Sequence, residues 1–152
     1  GDELGVAMKI RKSTLYPEAD WYLLVGDATA IPVLRVILDS LPADATGHCI
    51  VEVHGSEDVQ ADFNHPGFTI DWVFNTDPVA GSTLHQKVVD TIIPAGKECF
   101  GYVACEYQSV KQIREHFKST LGWDNKSFYA FSYWKAGTAE DKSAEERRDE
   151  SK

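Results

Sequence analysis

Residues 21–41, WYLLVGDATAIPVLRVILDSL, decide the fold. Five consecutive apolar residues from Trp21 to Val25 are too few for a buried helix and suit a strand covered on both faces. The chain then turns at Gly26-Asp27. Beyond the turn Ile31, Leu34, Leu38 and Leu41 recur at helical spacing, and Pro32 is tolerated because a first-turn residue has no intrahelical N–H bond to lose. The unit reads as strand, tight turn, helix. In such a unit the first helical N–H groups and the positive end of the helix dipole face outward at the carboxyl edge of the sheet, where an anion can sit. The dipole contributes only about 0.3–1 kcal/mol at an exposed site, so the turn is equally well read as an ordinary βα connection.

The rest of the chain repeats this alternation. His48 to His54 is rich in β-branched residues and reads as a second strand, and Phe68 to Phe74 as a third. Ser82 is placed to cap a second helix carrying Leu84, Val88 and Ile92 at intervals of four, stopped by Pro94. Cys99 to Ala104 forms a fourth strand, with Glu106 at its end. A third helix follows with Val110, Ile113, Phe117 and Leu121 on one face and Gly122 at its exit. The aromatic run Ser127 to Trp134 closes the series as a fifth strand. The order β-α-β-β-α-β-α-β predicts an α/β domain with a five-stranded, mostly parallel sheet and helices on both faces. It occupies residues 21–137, with a linker before it and a charged segment, 138–152, that holds six acidic and four basic residues and nothing apolar larger than alanine. Such a segment cannot offset its ordering entropy, and a disordered or partly helical tail is expected.

Composition narrows the function. The 152 residues carry a formal charge of −9, which argues against a broad nucleic-acid footprint and against anionic membranes. No apolar run approaches the ~20 residues that span a bilayer. Cys49, Cys99 and Cys105 are odd in number and lie in apolar runs, as reduced cytoplasmic thiols do. The five histidines show no zinc-ligand spacing with cysteine, and no structural metal is expected. No Gly-x-Ser-x-Gly elbow supports hydrolase chemistry. The chain starts in strand-like sequence without an initiator Met, which suggests a fragment of a larger protein.

Three blocks, in order, resemble the siderophore-interacting proteins, flavin-dependent ferric-siderophore reductases related to ferredoxin reductases. Gly26-Asp27-Ala28-Thr29-Ala30-Ile31-Pro32 is similar to their Gly-Asp-Glu-Thr-Ala-Leu-Pro signature. Val103-Ala104-Cys105-Glu106 resembles their Val-Ala-Gly-Glu segment, and Ser132-Tyr133-Trp134-Lys135-Ala136-Gly137 their closing Gly-Tyr-Trp-Arg-x-Gly. The opening Gly1-Asp2-Glu3-Leu4 looks like the last strand of the family's flavin barrel, so residues 1–20 would be the end of that barrel and a linker. The resemblance implies a ferredoxin-reductase-like C-terminal domain that binds NAD(P)H. Its FAD would sit on a missing N-terminal barrel, and a ferric siderophore would be the final electron acceptor. The Arg-x-Tyr-Thr or Arg-x-Tyr-Ser flavin motif does not occur in this chain.

The resemblance nominates Gly26, Asp27, Ala28, Thr29, Ala30, Cys105, Glu106, Tyr133 and Trp134 as cofactor-binding residues, with no catalytic side chain. Gly26 permits close approach of a diphosphate. Thr29 and Ala30 offer N–H groups, and the Thr29 hydroxyl either meets a phosphate or serves as a helix cap. Asp27 repels a phosphate and either caps the helix or orients a loop. Glu106 either bonds a nicotinamide carboxamide or ribose hydroxyl, or is a favourable acid at a helix start. Cys105 replaces a glycine and is read as a buried, unreactive thiol. Tyr133 and Trp134 either wall the ring pocket or pack in the core, since neighbouring strand residues face opposite sides. Ala28 in place of glutamate and Met8-Lys9 in place of Gly-Pro depart from the pattern. His54 and Ser56 favour a 2′-phosphate whereas Glu57 and Asp58 oppose it, so NADH against NADPH stays open. A non-catalytic α/β interaction module is the rival reading. An S-adenosylmethionine methyltransferase suits the strand-turn-helix unit but lacks the glycine-rich first loop.

Overall fold

The computed structural model describes residues 16–135, so the barrel-strand likeness of the first residues and the charged segment 138–152 lie outside the described residues. Five strands, β1 (Trp21–Asp27), β2 (Gly47–Val53), β3 (Phe68–Phe74), β4 (Cys99–Glu106) and β5 (Phe128–Trp134), form one sheet in the order β3-β2-β1-β4-β5. Every neighbouring pair is parallel.

Strand alternation divides the apolar residues of β1 between two cores. Tyr22 and Leu24 face a cluster closed by Leu34, Ile37 and Leu38 of α1 (Ile31–Ser40). Leu23 and Val25 face a second cluster beneath α2 (Leu84–Asp90) and α3 (Tyr107–Glu115), which supply Leu84, Val88, Val110 and Ile113. Helices therefore cover both faces, as the residue pattern predicts. A strand buried on both sides needs a continuous apolar run, and 21–25 is that run.

The chain moves outward from β1 through β2 to β3, then returns to start β4 on the other side of β1. Connections leaving β1 and β4 diverge at this reversal, and ligands of open parallel sheets bind outside the carboxyl ends there.

Two helix ends differ from the pattern in the sequence. α2 stops at Asp90, and Ile92, expected on its apolar stripe, is 88% exposed. Thr91 turns extended and its hydroxyl closes on the Lys87 carbonyl at 2.8 Å, which ends the helix before the stripe is complete. After α3 the chain widens into a π-helical turn, His116–Thr120, closed by Leu121 N–H on the His116 carbonyl at 3.1 Å. Gly122 then exits at φ +69°, the left-handed exit expected of glycine.

Gly26 has a different reason to be glycine. Its φ is not positive; a Cβ there would stand 2.8 Å from Ala30 Cβ, 2.9 Å from Leu34 Cδ1 and 3.0 Å from the Ala104 carbonyl oxygen. The missing side chain lets the start of α1 lie directly on β1. Gly26→Ala is expected to destabilise the chain by about 1–3 kcal/mol, because overpacking outweighs the ~0.4–1 kcal/mol gained from a stiffer unfolded chain. Urea denaturation checks this, and an unchanged or raised midpoint contradicts it.

Candidate functional site

β1 ends on Asp27, and the turn Ala28–Ala30 leads directly into α1. Asp27 is 6% exposed and caps this turn: Oδ1 accepts the Thr29 N–H at 3.0 Å and also the Thr29 hydroxyl. Its second oxygen, Oδ2, accepts Nε1–H of Trp134 at 2.7 Å. Burial pushes this carboxyl above its ordinary value of 3.8, while hydrogen bonds from Thr29, Trp134 and its own backbone pull the other way. The Thr29 hydroxyl is thus engaged by Asp27, and Asp27 takes the capping role that its charge suggested. Ala28 and Thr29 are exposed at the edge, and Ala30 is buried under Gly26.

On the neighbouring strand Ala104 is in register with Gly26, so Glu106 lies two residues beyond it at the same edge. Glu106 is 8% exposed, and its Oε1 caps α3 by accepting Gln108 N–H at 2.9 Å and Ser109 N–H at 3.4 Å. Cys105 is fully buried beneath α2 and α3. Burial holds its thiol well above the ordinary range, and the nearby charges of Asp27, Glu106 and Glu52 add to the effect, so it is an inert core thiol.

Glu52, which the sequence did not single out, completes the edge. It pairs in register with Asp27, is 5% exposed, and accepts the hydroxyl of Ser82. Ser82 in turn accepts the Leu84 N–H at 3.0 Å, although the N-cap position of α2 falls on Thr83 and not on Ser82 as the sequence suggests. Burial raises the Glu52 carboxyl, with Asp27 and Glu106 contributing repulsion. An acid next to the end of an otherwise apolar strand was the available signal. Three adjacent strands, β2, β1 and β4, therefore each bring a buried carboxylate to one edge. Such an edge receives N–H donors or a carboxamide more readily than a phosphate.

The two nominated aromatics separate. Trp134 reaches this edge through Asp27, whereas Tyr133 packs 5.3 Å from the Phe131 ring in the cluster beneath α1. Lys135, the next residue, sets its Nζ 4.7 Å from the centre of the Tyr107 ring and brings a cation to the start of α3. On the loop after β2, His54 Nδ1 lies 3.7 Å from Glu57 Oε1, and these two with Asp58 hold their ligand-type atoms within 4.8 Å of one another, all exposed. At the opposite edge of the sheet a cavity of about 600 Å³ lies beneath Tyr16 and Tyr22. Glu18, Asp20 and Asp44 line it without any Lys or Arg, a poor setting for a dinucleotide. Among the described residues, no helix is long and apolar enough to cross a membrane.

Known proteins supply the context. The sequence profile of the siderophore-interacting proteins matches residues 19–137. The chain is 31% identical over 149 residues to ferric vibriobactin reductase ViuB of Vibrio cholerae, covering 97% of this chain and 55% of ViuB. The crystal structure of the siderophore-interacting protein SipS from Aeromonas hydrophila superposes with a TM-score of 0.76 at 32% identity, covering 90% of this chain and 54% of that one. A siderophore utilization protein from T. fusca gives 0.74 at 28% identity, with 82% and 48% covered. The chain thus spans about half the length of these relatives, and its sheet is the ferredoxin-reductase-like domain that they share.

Because burial raises the Asp27 and Glu52 carboxyls, folding takes up protons at both. The stability they contribute is full below the unfolded carboxylate range and is lost as pH rises through the higher folded values. Asp27→Asn is expected to flatten the decline in unfolding free energy between about pH 4 and pH 7, the span above the ordinary carboxylate range. Denaturant titrations at a series of pH values check it, and a variant that declines as steeply as the parent contradicts it.

Proposed function

The chain belongs to the siderophore-interacting protein family, and from that membership we propose that it is the NAD(P)H-binding domain of a cytoplasmic, flavin-dependent ferric-siderophore reductase. Siderophore iron utilisation is the role its relatives' names carry. The observation that carries the finer reading is the meeting of Asp27, Trp134 and Glu106 at the reversal between β1 and β4, where parallel sheets of this order take nucleotides.

The residues fit the nicotinamide end of the nucleotide better than its diphosphate. An indole at the edge offers a flat surface to a flat ring. Glu106 and Glu52 supply carboxylates that attract the N–H groups of a carboxamide. The Thr29 N–H is already capped by Asp27, so the diphosphate rests on the remaining backbone of the turn and on the dipole of α1. A nucleotide held here by the turn after Gly26, by Glu106 and by Trp134 would supply hydride to a flavin on a barrel domain, with a ferric siderophore as the final electron acceptor. What this chain contributes is placement: Gly26 lets α1 approach the edge.

One observation favours the rival, a non-catalytic interaction module: the Thr29 N–H and hydroxyl both end on Asp27 rather than facing outward. Calorimetric titration with NADPH and with NADH separates the two. Saturable binding of at least one, weakened about tenfold by Glu106→Ala beyond the ~1 kcal/mol of stability that a lost cap costs, supports the reductase domain. No saturable binding of either nucleotide overturns it in favour of the module.

A further inference from the structure

Trp134 is half-buried, yet among the described residues it belongs to neither hydrophobic cluster and stacks on no other ring. A large aromatic side chain at a strand end is ordinarily held by packing. Among the described residues the polar tie that directs this indole is its hydrogen bond, Nε1–H to Asp27 Oδ2 at 2.7 Å. β5 and β1 are not neighbours; β4 lies between them. Two strand spacings amount to about 9–10 Å, so the indole has to extend across the end of β4, beside Cys105 and Glu106, to reach Asp27. The register shift between β4 and β5 at Cys105/Glu106, which pairs Glu106 with Trp134, occurs at this point and re-aims the strand end. The carboxylate that receives the indole is itself fixed, since its other oxygen is tied to the Thr29 N–H and hydroxyl.

We propose that Asp27 is a positioning residue that holds the Trp134 indole across the end of β4 as a stacking platform for the planar ring of a bound nucleotide. This deepens the function proposed above and rests on it. Asp27 touches no ligand in this account. It acts through Trp134, and its charge is satisfied by three protein donors, which leaves the indole face rather than the carboxylate to meet the ring.

The test combines a thermodynamic cycle with a spectroscopic signature, on the full 152-residue chain. Asp27→Ala and Trp134→Phe are each expected to weaken binding of NADPH or NADH about tenfold, within what one ring stack contributes. The double variant should bind no more weakly than either single one, because both changes release the same ring. Ile37→Val, which costs comparable stability in the core of α1, should leave affinity unchanged. In the ligand-free ¹H–¹⁵N spectrum the Trp134 indole cross-peak should move in Asp27→Ala and stay in Ile37→Val. Additive losses in the double variant, affinity that follows stability through Ile37→Val, or an indole peak indifferent to Asp27→Ala overturns the positioning role while nucleotide binding stands. A parent chain that binds neither nucleotide overturns the proposed function, and the platform with it.

Discussion

A buried carboxylate is the constraint on which this edge of the molecule depends. Asp27 sits where β1 stops, is almost wholly removed from water, and accepts hydrogen bonds from Thr29, two residues on, and from Trp134, 107 residues on. Removing a carboxylate from water without partners costs far more than one domain can spare, so its donors are obligatory. The same bonds shape the turn into α1 and fix the end of β5. Gly26 makes the arrangement possible, since any side chain there would push α1 away and move the turn that Asp27 caps.

Charge then sorts what such an edge can receive. A helix start attracts an anion by about 0.3–1 kcal/mol when exposed. Here Asp27 caps the turn that leads into α1 and Glu106 caps α3, with Glu52 alongside. Three carboxylates outweigh two dipoles of that size, so the edge is better suited to an amide-bearing ring than to a phosphate. Lys135 brings a cation to this rim, beside Tyr107. The acidic loop after β2 continues the trend, with Glu57 and Asp58 around His54.

Much of the architecture was legible in the residues, because it rests on local patterns. Phe68–Phe74 is the strand its β-branched and aromatic residues predict, and the central run ending at Gly26-Asp27 is the two-sided strand it reads as. The end of α2 was not legible, because a threonine hydroxyl closing on Lys87 overrode a stripe extending to Ile92. In the site, placing Gly26 and Glu106 on adjacent strands followed from topology. The capping roles of Asp27 and Glu106 were among the alternatives their positions allow. The Trp134–Asp27 bond could not be read, since it joins distant residues across an intervening strand. Glu52 shows in the sequence only as an acid near the end of an apolar strand, and its place in the site comes from register with Asp27. Tyr133 and Trp134 are alike as sequence, and the structure packs Tyr133 in the cluster beneath α1 and bonds Trp134 to Asp27.

The central claim is that the carboxyl edge at the β1–β4 reversal is where a nicotinamide nucleotide binds. Mapping ¹H–¹⁵N chemical-shift changes on titration with NADPH and NADH tests it most directly. The account predicts that the largest changes fall on Gly26 to Ala30, on Cys105 and Glu106, and on the Trp134 indole. Changes centred instead on Tyr16, Tyr22 and Ser40 around the cavity at the opposite edge, or none at saturating nucleotide, would contradict it.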